Sequence, residues 1–233
     1  MKKQTLTLSL GLLLSSTIFA QNVNLVTENG KLTEAEQEEI TERIKVKIED
    51  FVRYQGDLAT KSPELTPAVK NASKQKALDL FVEKGDPYWE MNPITGKKER
   101  LNSGVKMWII PSKKFPEVKK WKLMKGNAKS VGYLDGLIRR SQRSDGYKQI
   151  VIEQADAVRV DTFREVAPNK FEAVAYVVQH FCGYSSDGFV RYEDYTLKRI
   201  KIYIERKAEI TPDGNAVMVY YILLGDIQSD DIW

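Results

Sequence analysis

A chain of 233 residues that is 42% hydrophobic and 10% aromatic has enough apolar side chains for a packed core, which excludes a disordered polymer. Its formal net charge of +4 forces no nucleic-acid-binding role. Cys182 is the one cysteine, so no intrachain disulfide staples the fold.

The first element is a leader. Lys2 and Lys3 precede the uncharged apolar run Leu6 to Phe19, and Ala20 supplies the small residue at which a signal peptidase cuts. That run is about fourteen residues, short of the ~20 that a helix needs to cross a bilayer. The pattern predicts a cleavable secretory signal over 1–20, a mature chain from about Gln21, and a periplasmic or secreted protein. Losing Lys2 and Lys3 takes the charge from +4 to +2. No cysteine lies near the cut, which argues against a lipid-attached form. No later segment is long, apolar and uncharged, so no membrane span is expected after cleavage.

Residues 21–32 read as an N-terminal lead. Thr33 and Glu36 have capping-box spacing. Ile40, Ile44, Ile48, Phe51 and Val52 then recur with helical period, predicting a helix over 33–59. A second helix starts at Pro67 with Thr66 as its N-cap. Its expected inner face is Val69, Ala72, Leu78, Phe81 and Val82, and Gly85 ends it. Residues 86–129 are less regular. Asn92-Pro93 and Thr95-Gly96 mark turns, and Val105–Ile110 is a short strand stopped by Pro111. A basic insertion at about 111–129 holds Lys113, Lys114, Lys119, Lys120, Lys122, Lys125 and Lys129 around Phe115 and Trp121. A third helix over about 130–142 carries Val131, Leu134, Leu137 and Ile138.

From Tyr147 the texture becomes extended. Strands are expected over 147–153, 157–166, 170–182, 189–207 and 216–227, rich in Val, Ile, Tyr, Phe and Thr. Asp187-Gly188 and Asp213-Gly214 are hairpin turn signals, and Pro168-Asn169 marks another turn. Along 190–206, Val190, Tyr192, Thr196, Ile200, Ile202 and Ile204 share one parity and Arg191, Glu193, Arg199, Lys201 and Glu205 the other, so one face is buried and one wet. The run 171–182 is apolar at both parities, as for a central strand. The expected fold class is therefore α+β, with N-terminal helices packed on a strongly twisted antiparallel sheet. Residues 21–65 form a lead and helical extension, and 66–233 the main domain.

This order of elements resembles the nuclear-transport-factor-2-like superfamily, and in particular its exported bacterial members. The carriers are Ala77-Leu78-Asp79-Leu80-Phe81, Tyr133-Leu134-Asp135-Gly136-Leu137 and Tyr220-Tyr221-Ile222-Leu223-Leu224-Gly225-Asp226-Ile227. The resemblance covers roughly 66–228 and rests on element order and hydrophobic texture. It implies a cystatin- or ketosteroid-isomerase-like cone that encloses a pocket. Members of the superfamily include enzymes, binding modules and assembly domains, so the site must decide function.

His180, the one histidine, is a candidate general base. Strand alternation puts it on the face of Cys182, with Asp194 across the hairpin. A Cys-His-Asp arrangement can be drawn, but residues two apart on a strand are about 6.5–7 Å apart, too far for a nucleophile–base hydrogen bond. Asp161, Asp194 and Asp226 are candidate proton carriers if burial raises a carboxyl pKa. Asp226, next to Gly225 at the expected strand end, reads as structural. No clustered ligand spacing suggests a metal, no glycine-rich phosphate loop is present, and no cofactor is expected. Lys119, Lys120, Trp121 and Lys122 are the candidate contacts to an anionic ligand or envelope partner. Lysine runs are commonly solvated loops, and export disfavours nucleic acid.

Two readings stand. One is an exported non-catalytic binding or interaction domain of the bacterial cell envelope. The other is a small cofactor-free lyase or isomerase that uses a carboxylate in the cone. A polar-lined cavity holding Asp161, Asp194 or His180 favours the second, and a cone plugged by Tyr, Phe and Ile opposes it. Either reading allows a homodimer through the sheet.

Overall fold

The computed structural model describes residues 31–92, 94–109, 120–143 and 147–231. The expected signal over 1–20 and the candidate contact Lys119 lie outside the described residues.

Helix α1 spans Glu34–Ala59 and starts with the expected capping box. Thr33 Oγ1 accepts the Glu36 N–H at 3.2 Å, and Glu36 Oε2 accepts the Thr33 N–H at 2.7 Å. Two donors that the first turn leaves orphaned are thereby satisfied. Ile40, Ile44 and Ile48 are fully buried, each contributing roughly 1.5–3 kcal/mol by leaving water. Phe51 meets Phe81 edge-on at 5.1 Å.

Helix α2 spans Pro67–Asp79, with Thr66 Oγ1 accepting the Val69 N–H. Leu78 and Phe81 are buried as expected, but the rest of its inner face differs. Val69 and Ala72 are exposed, while Lys70, Ser73, Ala77 and Leu78 are buried. The reason lies in α1, whose last turn has no basic residue. The Lys70 ammonium donates to the carbonyls of Leu58 (3.1 Å) and Thr60 (2.6 Å) and to Ser141 Oγ (2.6 Å). A cation from the neighbouring helix thus serves the negative end of α1. Burial holds this ammonium below its ordinary pKa, with Asp57 pulling the other way. Gly85 closes a further short 3₁₀ turn, Val82–Gly85, beyond the end of the helix.

Tyr88–Met91 (β1) and Lys98–Asn102 (β2) form an antiparallel hairpin that the irregular texture of 86–129 did not predict. Asn92 Oδ1 organises its turn by accepting the N–H groups of Ile94 and Thr95. The main sheet consists of β3 (Lys106–Ile109), β4 (Lys120–Leu123), β5 (Gln149–Gln154), β6 (Arg159–Val160), β7 (Arg164–Ala167), β8 (Lys170–Tyr184), β9 (Val190–Ile210) and β10 (Ala216–Asp231). Its order is β4-β3-β10-β9-β8-β5, with β6 and β7 also pairing with β8. The run expected as one strand over 157–166 is therefore two. Residues 120–123 of the lysine segment are an edge strand, not part of a solvated loop.

The sheet is mixed, not purely antiparallel. Strand β3 lies parallel to β10 at Met107–Ile227, and the other paired strands run antiparallel. Helix α3 (Tyr133–Ser141) follows β4 and buries Leu134 and Leu137. The inner faces of β8, β9 and β10 supply Phe171, Ala175, Ile200, Ile202, Ile222, Leu224 and Ile227 to the same core. The result is an α+β architecture, with α1, α2 and α3 packed with a large, mostly antiparallel sheet. Among the described residues, no helix is long and apolar enough to cross a membrane.

Candidate functional site

The inner face of the sheet stops being apolar toward one end of β9. Alternation keeps Tyr192, Asp194, Thr196 and Lys198 on the parity of Ile200 and Ile202. Those polar side chains border a cavity of about 260 Å³ between α3, β3, β4 and the sheet. Tyr133, Leu137 and Arg140 of α3 line it, as do Tyr147, Phe181, Trp108, Lys122 and Ser229. Its floor is a chain of amides and a phenol. Gln179 of β8 donates to Gln55 Oε1 at 2.9 Å, and Gln55 donates to the Tyr133 hydroxyl at 3.0 Å. Gln55 is fully buried within α1, so this network ties three elements together at the base of the cavity. Burial pushes the Tyr133 phenol up to about 12, so it stays a neutral hydrogen-bonding group.

Among the described residues, three cations converge on this space. Lys198 is buried and donates to Ser229 Oγ at 2.8 Å, and that hydroxyl donates to the Trp108 carbonyl at 3.1 Å. Lys122 extends from β4 and lies against Gly136 of α3. A Cβ at Gly136 would come within 2.9 Å of the Lys122 ammonium. Burial holds the Lys122 pKa below its ordinary value, with repulsion from Arg140 and Arg139 adding to it and Asp135 opposing. Arg140 stands on the last turn of α3. Among the described residues, the lining holds one carboxylate, Asp194, which accepts the Tyr192 hydroxyl.

The candidates from sequence therefore separate. Asp194 and Lys122 are in the cavity. Trp121 stays outside it, with its ring 4.8 Å from Trp108, its direct cross-strand partner, and Lys120 is exposed on the edge strand. Asp161 is an exposed residue after β6 whose carboxylate accepts the Thr162 N–H. Asp226 does not end β10. It sits in a bulge and accepts the Lys106 N–H at 2.8 Å, anchoring the start of β3, and burial raises its pKa. Lys198, Arg140, Gln55 and Gln179 were not singled out from sequence. The available signal was a lysine and an aspartate on the apolar parity of β9.

His180 is on the opposite face of the sheet from the cavity, so the drawn Cys-His-Asp arrangement does not form. Phe181, not His180, is paired with Asp194. His180 stacks on Tyr195 at 4.4 Å, and its Nε2 is 2.8 Å from Glu193 Oε1. Cys182 is buried and directly paired with Glu193. Spacing along the chain offered no ligand cluster, but strand pairing makes one. The donor atoms of His180, Cys182 and Glu193 all lie within 4.8 Å of one another.

No protein-family model matches the chain, and no curated protein or solved structure matches it either. What the fold and the geometry define is an α+β protein with a cation-rich internal cavity on one side of its sheet and a mixed-donor cluster on the other.

Proposed function

We propose that this is an exported, non-catalytic binding domain of the cell envelope whose cavity takes a small anionic ligand. The observation that carries the reading is the convergence of Lys122, Arg140 and Lys198 on a space where, among the described residues, Asp194 is the one lining carboxylate. Cations gathered around one cavity favour an incoming carboxylate or phosphate. The volume, near the lower end of the usual ligand range, suits a compact molecule. Trp108, Tyr133, Tyr147 and Phe181 add walls for a flat apolar body. The proposal includes the cone-shaped superfamily fold, in keeping with the 15, 21 and 16 residues of β8, β9 and β10. Strands of that length twist strongly enough to wrap around helices. It also includes the signal over 1–20. Recovery from the periplasm with Gln21 as first residue supports export, and an intact Met1 in the cytosol refutes it.

The test of binding is a thermal-shift screen of small aromatic and aliphatic carboxylates and phosphate esters. A hit should weaken by about tenfold or more in Arg140→Ala and Lys198→Met, the loss of one charged hydrogen bond. If no anion raises the melting temperature, or the variants bind as well as wild type, the reading fails.

Asp194 favours a second reading, because the cavity is polar-lined and holds that carboxylate. A carboxylate beside a phenol is a proton carrier for a cofactor-free isomerase or lyase. A ligand found in the screen should then exchange a carbon-bound proton for deuterium with wild type and not with Asp194→Asn. Exchange that survives in the variant removes the role.

A further inference from the structure

We propose that His180, Cys182 and Glu193 form a binding site for a borderline-soft divalent metal of the zinc class, on the sheet face opposite the cavity.

The argument starts from donor chemistry. An imidazole nitrogen, a cysteine sulfur and a carboxylate oxygen converge within 4.8 Å of one another. This N, S, O set suits zinc and its neighbours and disfavours magnesium or calcium, which take hard oxygen ligands. Donors about 2.0–2.3 Å from a tetrahedral ion lie roughly 3.3–3.7 Å apart. The His180–Glu193 contact of 2.8 Å must therefore open by less than ~1 Å, and Cys182 must close by a similar amount. Glu193 is on the exposed face, so an ion has a path in.

The sheet also supplies what such ligands need behind them. The second ring nitrogen of His180 faces Glu153 Oε2 at 3.7 Å. Glu153 is the direct strand partner of His180 across β5–β8. A carboxylate on the far nitrogen fixes the tautomer that presents Nε2 to a metal. Tyr195 stacks on the ring with an interplanar angle of 11° and restrains its plane. Every ligand thus rises from a paired strand, and His180 has two partners that orient it. Three protein donors leave a fourth position for water.

The test is cobalt(II) titration of the purified protein, free of any histidine tag. A one-to-one complex with a thiolate-to-cobalt charge-transfer band, bleached by stoichiometric zinc, is expected. Cys182→Ser should remove the band. His180→Ala and Glu193→Gln should weaken cobalt affinity at least about tenfold, and Glu153→Gln about tenfold through the second shell. Asp194→Asn, on the other face, should bind as wild type does. Glu193→Gln is a surface change that leaves the fold intact, so the result does not hinge on the buried cysteine. The absence of a charge-transfer band in the wild type overturns the site, as does a band that persists unchanged in Glu193→Gln and His180→Ala.

Discussion

The carboxylate of Glu36 sits where three elements meet. One oxygen takes the Thr33 N–H, and the other takes the Tyr220 hydroxyl at 2.5 Å and the Arg206 guanidinium at 3.2 Å. Burial alone would raise its pKa, but the hydrogen bonds from Tyr220, Thr33 and Arg206 together outweigh it and hold the group below its ordinary 4.5. The unfolded chain therefore binds the proton more readily than the folded one. The resulting stability is complete above pH 4.5 and is lost as the pH falls through the lower folded value. Glu36→Gln should cost about 1–2 kcal/mol at neutral pH, the worth of charge-assisted hydrogen bonds. The gap between variant and wild type should narrow toward zero once Glu36 is protonated. Urea unfolding at neutral and acid pH measures both. A gap that is constant with pH would mean that the charge is idle. The spacing of Thr33 and Glu36 made the cap legible, because capping is local. The contact with Tyr220, 184 residues away, has no local signature, since it exists only after β10 has folded against α1.

At the scale of elements, the joint between β4 and α3 is the most informative. Gly136 stands inside a nine-residue helix, where alanine would be favoured by about 1 kcal/mol. Its retention is explained by Lys122, whose ammonium occupies the space that a Cβ would need. Gly136→Ala should therefore leave the fold intact or slightly stabilised while turning Lys122 out of the cavity. Its expected phenotype is an unchanged or raised melting temperature with weaker binding of an anion found in the screen. A variant that binds as wild type would show that Lys122 is dispensable. The sequence showed this region as a lysine run because a four-residue edge strand is too short for its alternation to stand out from Lys-rich neighbours. Helix α2 misled for a related reason. Periodicity assumes that a buried face is apolar, and here the buried face serves the carbonyl end of α1 through Lys70. Strand β9 was long enough to read, and its Asp194 and Lys198 were already on the apolar parity. They mark the cavity because a charge on a buried parity must meet a partner or a space.

For the whole molecule, one residue insertion in β10 sets which side chains face the core. Leu224 pairs with Ile202 and Ile227 with Ile200, so β10 spends three residues where β9 spends two. Before this bulge Tyr220, Ile222 and Leu224 point inward, and after it Ile227 and Ser229 do. Without the extra residue the end of the strand would turn over, burying Gln228 and exposing Ile227. The bulge also places Asp226 to hold the Lys106 N–H, which seats β3 and through it β4 and the cavity wall. The hydrophobic texture of 216–227 predicted the strand but not the bulge, because parity read from sequence cannot separate a slip from a strand end. Gly225 fits because Tyr203 passes over it, where a Cβ would lie 2.5 Å from the ring. Gly225→Ala must push Tyr203 aside, along with its edge-on contact to Tyr88 at 6.1 Å. Overpacking of this kind costs about 1–3 kcal/mol. The loss should appear as a lower urea midpoint with accelerated hydrogen exchange in β3 and β10, while the amides of β8, paired on both sides, stay protected. Equal loss of protection across the sheet would mean that the bulge stabilises the fold globally and does not seat β3 in particular.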